Sequence, residues 1–209
     1  EGPVAENVRK EYGRHYRELT ADRKPAAEPL KIAAVYNAPQ SGRQEVVLLG
    51  SAGQRIITAG EILCLAGLSA GLNTTQKNEY NITVLRGLSI SELILSPEEI
   101  DYTGIQQPGV VIALAREGVD RRKNLFKQLD SKALVLQADG VEIPDCSARI
   151  LPMDLKSRGI KKTDWALASL GIMAELGEMI SPEMLAAALK IRFKGKTLDT
   201  ALELIQNRL

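Results

Sequence analysis

The stretch Glu45-Val-Val-Leu-Leu-Gly50-Ser-Ala-Gly53-Gln54-Arg55-Ile-Ile-Thr-Ala-Gly60-Glu-Ile-Leu63 decides the fold. Its opening is a short apolar run closed by a glycine, which predicts a strand over 45–50. Ser51-Ala52-Gly53 predicts a tight turn. From Gln54 to Ala70 the apolar residues return at helical spacing, and Gly71 stands where a helix end takes left-handed backbone. Ala59, Gly60, Ala66 and Gly67 lie within this helix. Side chains that small let a helix axis come close to a sheet. A strand feeding a helix through a glycine turn is the elementary unit of an α/β domain.

Further along the chain the same alternation continues. Ile90–Leu95 predicts a second strand, and the unbroken apolar run Gly109–Ala115 predicts one covered on both faces. A polar helix is predicted over Asp120–Asp130, a buried strand over Ala133–Gln137, and a shorter strand over Arg149–Pro152. Thr163-Asp164 is placed to cap a helix running to about Met179. Ser181-Pro182-Glu183 supplies an N-cap followed by proline at the first helical position, opening a helix to about Lys190. Leu198, Ala201, Leu202 and Ile205 form the stripe of a last helix over Thr197–Arg208. The expected fold is α/β, a three-layer α/β/α arrangement around a mostly parallel or mixed sheet, occupying residues 30–209. No internal repeat is present.

Residues 1–29 read as a separate piece. Val8, Tyr12, Tyr16 and Leu19 make a helical stripe, and Lys24–Pro29 reads as a linker. A lone helix of this length needs a partner surface to persist in water; the other reading is a frayed tail. The chain opens on Glu1 instead of Met, which suggests a processed or excised piece.

Composition narrows the chemistry. The 209 residues are 44% hydrophobic and 25% charged, with a net charge of +1. That balance gives no electrostatic case for nucleic acid or an anionic membrane. No apolar run approaches the roughly 20 residues that span a bilayer, and the first residues are too polar for a signal peptide. A cytoplasmic location is expected. Cys64 and Cys146 stand far apart, and neither has a second cysteine or a histidine at ligand spacing. No zinc or iron–sulfur signature is present, and both thiols read as small buried hydrophobes in a reducing compartment. The single histidine, His15, lies in the N-terminal piece. Ser-His and Cys-His nucleophile pairs are therefore unavailable to the main domain, leaving Lys, Asp and Glu.

Two segments are candidate sites. In open α/β sheets ligands bind outside the carboxyl ends of the strands. Gly50, Gly53 and Gln54 occupy such an end and lead into a helix N-terminus, whose amides can receive an anion. The dinucleotide pattern G-x-G-x-x-G is incomplete and no phosphate-loop lysine follows. Both a phosphate cradle and a ligand-free turn fit. The second segment, Asn78–Ser89, is expected to be a polar loop carrying Arg86 and Gly87 ahead of a strand. It suits a carboxylate or phosphate, or the docking of another subunit. Tyr80 and Trp165 are the aromatics to follow, Trp165 chiefly as a packing residue.

In this order the segments resemble the gamma subunits of the 2-oxoacid:ferredoxin oxidoreductase family. That family reads G-x-G-G-Q-G after its first strand, where this chain has Gly50-Ser-Ala-Gly53-Gln54-Arg55 and an Ala/Gly-rich helix. A polar loop ending in Arg-Gly-Gly corresponds to Glu79-Tyr80 through Arg86-Gly87-Leu88. A Pro-Met-Asp segment corresponds to Pro152-Met153-Asp154. Ala52, Arg55 and Leu88 depart from family glycines. The resemblance covers roughly 45–209. Asn7-Val-Arg-Lys-Glu-Tyr12 to Tyr16-Arg-Glu18 resembles the end of the thiamine-binding beta subunit of the same family, which suggests a beta–gamma fusion.

The resemblance implies a part in the CoA-dependent oxidative decarboxylation of a 2-oxoacid, with electrons passed to ferredoxin. Thiamine diphosphate serves there as the electron sink and iron–sulfur clusters as one-electron carriers. These cofactors are expected in the complex, on alpha and beta and in some cases delta subunits, and none is expected to be held by this chain alone. Gly50, Gly53, Gln54, Arg86 and Gly87 are expected to face that site or a partner, with no residue assigned as acid, base or nucleophile. Two other readings stand beside this one: a free-standing nucleotide-binding oxidoreductase and a non-catalytic assembly module.

Overall fold

The structure, a computed structural model, describes residues 3–21, 31–81 and 86–206. The chain divides into two units, Glu1–Lys31 and Ile32–Leu209. The first contains helix α1 (Pro3–Ala21), on which Val4, Val8 and Tyr12 are exposed. The expected linker at 24–29 and the side chains of Tyr16 and Leu19 lie outside the described residues.

The second unit is built on a six-stranded sheet in the order β2-β3-β1-β4-β5-β6. Strand β1 (Gln44–Ser51) lies at its centre, and Val46 through Leu49 are fully buried. It runs into α2 (Ile56–Ser69), which closes as the glycine at 71 demands. The Leu72 N–H donates to the Gly67 carbonyl, the Gly71 N–H donates to the Leu68 carbonyl, and Gly71 has φ +74°. Both bonds satisfy carbonyls that the end of the helix would otherwise leave open.

The next element departs from the sequence reading. Asn73–Tyr80 form strand β2, so Asn78, Glu79 and Tyr80 belong to a strand where a loop was expected. It is paired antiparallel with β3 (Leu88–Ser96) from Asn73↔Ser96 to Tyr80↔Ser89. β2 is an edge strand and carries no apolar alternation. Its inward face is polar: the Gln76 amide donates to the Ile57 carbonyl at 3.0 Å and to Ser91 Oγ at 3.0 Å, and Ser91 Oγ donates to Asn78 Oδ1 at 2.9 Å. Gly60 of α2 lies over this cluster so closely that a Cβ there would come within 2.5 Å of Ser91 Oγ.

This added strand reverses β3. β1 pairs antiparallel with β3, whereas β1–β4, β4–β5 and β5–β6 are parallel. The sheet is therefore mixed. β4 (Val110–Ala113), β5 (Leu134–Ala138) and β6 (Arg149–Met153) fall where apolar runs predicted strands.

The predicted helix over Asp120–Asp130 is two short ones, α3 (Arg116–Arg121) and α4 (Lys123–Phe126). Between them Arg122 has φ −114° and ψ 23°, outside the helical range, and its guanidinium turns onto the sheet to meet Glu79 and Glu92. Helix α5 (Trp165–Glu175) ends earlier than expected. Gly177, at φ +68°, lets the Glu178 N–H reach the Met173 carbonyl and the Gly177 N–H the Ala174 carbonyl. Asp164 makes no capping bond; a single 3₁₀ turn over Lys162–Asp164 precedes α5. α6 (Pro182–Arg192) starts as predicted, with the Met184 N–H donating to Ser181 Oγ at 3.3 Å. α7 runs Gly195–Gln206, and the end predicted for it lies outside the described residues.

Neighbouring residues of β3 show the layers. Ser91 faces α2, and Glu92 faces Arg122 between α3 and α4. Successive strand residues point to opposite faces, so α2 lies on one face and α3 on the other. α5 and α6 pack beside α2, and α7 packs on α5 and α6. Trp165 is buried at the start of α5, and its Nε1–H donates to the Ile160 carbonyl at 2.9 Å. That bond and burial make Trp165 a packing residue.

Candidate functional site

The carboxyl end of β1 carries both candidate segments. Register brings them together: Gly50 opposes Ser89, Ser51 opposes Leu88, and the Ala52 N–H donates to the Gly87 carbonyl at 2.9 Å. Gly87 sits at φ +95°, a conformation open to glycine, and a Cβ there would run into the Asn81 side chain. Arg86, exposed, flanks this contact. The residues between them and Asn81, 82–85, lie outside the described residues.

Gly50 is buried at the end of β1, and a Cβ on it would lie 2.6 Å from Ile56 Cγ1 and 2.9 Å from Gln54 Oε1. Gly53 is exposed at φ +89°, with open space where a Cβ would stand. Gln54 turns inward and is buried. Its Oε1 accepts from the Ser51 N–H at 2.8 Å and from Ser51 Oγ at 3.3 Å. Its Nε2 donates to the Leu114 carbonyl at 3.1 Å.

Leu114 follows β4, the parallel neighbour of β1. The chain leaves β1 toward β2 and leaves β4 toward β5, so the gap between the ends of β1 and β4 is the topological switch point of the sheet. In open α/β sheets a ligand takes that gap. Here the Gln54 carboxamide spans it. The other face of the loop is also occupied: a Cβ on Gly118 of α3 would lie 2.6 Å from the Gly50 nitrogen. A dinucleotide pyrophosphate has no place between these strands, and the reading of a free-standing nucleotide-binding oxidoreductase finds no support. What the corner offers to other molecules is its outer surface, with Gly53, Arg86 and Gly87.

Arg55 precedes α2 in left-handed backbone, φ +56°, at a position where glycine has no steric cost. Its guanidinium reaches Asp164 at 3.0 Å, before α5.

On the opposite face is an ionic cluster that the sequence did not announce. Glu79 meets Arg121 at 2.6 Å and Arg122 at 2.7 Å, and Arg122 also meets Glu92 at 2.9 Å. Burial disfavours ionised Glu79, but hydrogen bonds and charge from Arg122 and Arg121 outweigh it and hold the carboxyl below the ordinary glutamate value. The partners come from β2, β3 and the α3–α4 junction, so no spacing along the chain signals the cluster. Among the described residues no group of three His, Cys, Asp or Glu is placed to hold a metal ion, and no helix is long and apolar enough to cross a membrane.

A mixed six-stranded sheet with helices on both faces, and two loops joined at the end of its central strand, define an α/β module. The chain belongs to the pyruvate ferredoxin/flavodoxin oxidoreductase family, whose profile it matches over residues 45–207.

Among curated proteins it is similar to the 2-oxoglutarate synthase subunit KorC of Methanocaldococcus jannaschii, 29% identical over 70% of this chain and 82% of that subunit. KorC of Methanothermobacter marburgensis is 35% identical over 37% of this chain, and the match spans only 42% of that subunit. Two solved structures share the fold. The gamma subunit of the keto/oxoacid ferredoxin oxidoreductase from Geobacter sulfurreducens aligns with a TM-score of 0.67 at 22% identity, over 79% of this chain and 94% of that one. The 2-oxoglutarate:ferredoxin oxidoreductase from Magnetococcus marinus, solved with 2-oxoglutarate, coenzyme A and succinyl-CoA bound, aligns with a TM-score of 0.67 at 20% identity. That match takes in 79% of this chain and 30% of the longer polypeptide.

Proposed function

We propose that this chain completes a 2-oxoacid:ferredoxin oxidoreductase, working beside alpha and beta subunits in the CoA-dependent oxidative decarboxylation of a 2-oxoacid. The observation that carries this reading is the corner formed by Gly53 and the Arg86–Gly87 pair, locked by the Ala52–Gly87 hydrogen bond. An open glycine and an exposed guanidinium on one rigid corner suit the polar part of coenzyme A. Arg86 would hold a phosphate, and the left-handed turn at Gly53 would let the ligand lie close to the backbone.

Thiamine diphosphate would supply the electron sink, and iron–sulfur clusters the one-electron steps. The two cysteines of these 209 residues cannot furnish the four thiolates of a cluster, so the clusters would be held elsewhere in the assembly. The reaction class fits a cytoplasmic enzyme. Residues 1–29, as the close of a beta subunit, would tether residues 30–209 to the thiamine-binding part of the assembly. The KorC relatives make 2-oxoglutarate the first substrate to test.

Co-expression with the alpha and beta subunits of the same enzyme tests the reading. The assembled enzyme is expected to reduce ferredoxin on addition of 2-oxoacid and coenzyme A, and to lose this activity when the present chain is omitted. Arg86→Ala should raise the KM for coenzyme A about tenfold or more with a smaller change in the KM for the 2-oxoacid. Equal turnover with and without the chain refutes the reading. An unchanged coenzyme A dependence removes Arg86 from the site.

A further inference from the structure

The strongest feature outside the loop corner is a cleft of about 510 Å³ between the first turn of α2, the side of α5, and the first turns of α7. None of Gly50, Gly53, Gln54, Arg86 or Gly87 lines it. We propose that this cleft is a binding site for a small molecule carrying a phosphate group on an apolar body, with Arg55, Arg192 and Lys196 as its charged contacts.

The lining holds three cations, Arg55, Arg192 and Lys196, against one carboxylate, Asp164, so its net charge is 3 − 1 = +2. A phosphate monoester brings about −1.5 to −2 at neutral pH and matches it; a carboxylate brings only half of that. Thr58 and Thr197 add hydroxyl donors to the lining, and Leu167, Phe193 and Leu204 add apolar surface. A cleft of this size that joins charged groups to apolar surface has the make-up of a small-molecule site.

Arg55 stands in backbone that disfavours a side chain. Its φ of +56° is the region where a side chain is disfavoured by roughly 1–2 kcal/mol. A glycine would hold the same turn without that cost, yet the chain carries a guanidinium there, aimed at the cleft.

The present partners of both arginines are exchangeable. Arg55 is 67% exposed in its pair with Asp164, and Arg192 meets Glu61, which lies outside the lining, at 3.1 Å with both side chains 44% exposed. Pairs this exposed hold weakly. A phosphate offers the same guanidinium groups a bidentate partner with more charge.

The cleft is lined entirely by residues of this chain, so the 209-residue chain is titrated directly. Phenyl phosphate is titrated into the protein by calorimetry, with inorganic phosphate and benzoate alongside. Saturable binding of phenyl phosphate is expected, tighter than inorganic phosphate and at least about tenfold tighter than benzoate. Arg192→Gln and Lys196→Gln should each weaken it about tenfold while the ligand-free melting temperature of Lys196→Gln stays unchanged. Arg55→Gly should weaken it likewise. If Arg55→Gly or Arg192→Gln fails to fold, the exposed Lys196 decides alone. Absence of saturable binding overturns the proposal. So does benzoate binding as tightly as phenyl phosphate, or full affinity in Lys196→Gln.

Discussion

The Ala52 N–H donates to the Gly87 carbonyl at 2.9 Å, joining two turns that lie far apart in the chain. The bond extends the β1–β3 ladder one step past Ser51↔Leu88 and converts two exposed turns into one corner. Beneath it the Gln54 carboxamide closes the gap between β1 and β4, so the corner is supported from inside and open only outward.

Gln54→Ala should therefore destabilise the fold although the side chain is distant from solvent chemistry. It removes the acceptor of the Ser51 N–H and the donor to the Leu114 carbonyl in a buried place. Unsatisfied buried groups cost about 1–3 kcal/mol, and a fall of that size is expected in urea unfolding. An unchanged midpoint would show that water replaces the carboxamide without loss.

Gly118 and Gly53 should respond to alanine for different reasons. At Gly118 the new Cβ would lie 2.6 Å from the Gly50 nitrogen, backbone against backbone, so α3 must lift from β1. Overpacking of this kind costs about 1–3 kcal/mol. At Gly53 the space is open, and the cost is only the φ of +89°. Paired denaturation curves should show Gly118→Ala also weakening the protection of the Leu49 and Leu114 region in hydrogen exchange, and Gly53→Ala leaving it intact.

The Glu79–Arg122–Glu92 cluster predicts an acid dependence. Glu79 titrates below its ordinary value in the folded chain, so its contribution is present above the unfolded value of about 4.5 and is lost as pH falls through the folded one. Glu79→Gln should lower the melting temperature at pH 7, and the difference from the parent protein should shrink on acidification below that value. Arg122→Ala, which leaves Glu79 with Arg121 alone and Glu92 with only Lys77 at 3.8 Å, should cost more, about 1.5–3 kcal/mol. A pH-independent difference for Glu79→Gln would assign the loss to packing instead.

Cys64 should be slow to alkylate in the native protein. Burial, aided by the charge of Glu61 and opposed by a hydrogen bond from Thr74, pushes its thiol from 9.0 up to about 11. The thiolate is the nucleophile, so at pH 8 very little is present. The sign for stability follows: Cys64 contributes fully below pH 9, and that contribution is lost as pH rises toward 11. Iodoacetamide labelling followed by peptide mapping should find Cys64 unmodified in native protein and modified after unfolding. Rapid native labelling at pH 8 would contradict this.

How far the sequence reaches is seen by comparing particular elements. Strand β1, the glycine turn, helix α2 with its stop at Gly71, and the Ser181-Pro182 start of α6 are all legible. Each is set by contacts within a few residues, where apolar period, backbone freedom and capping chemistry act. β2 was not legible. Asn73-Thr-Thr-Gln-Lys-Asn-Glu-Tyr80 lies at the sheet edge with no fully buried residue and turns the Gln76 amide toward α2 and β3, so no apolar alternation marks it.

The sequence by itself thus determined that the chain is an α/β module with a glycine turn at the end of its first strand, because those features are written in local pattern. Only the tertiary structure decided that β3 runs backwards, that Gly87 meets Ala52, that Gln54 fills the switch point, and that Arg55, Arg192 and Lys196 share one cleft. These depend on strand register and helix packing between residues distant along the chain, which no local pattern records.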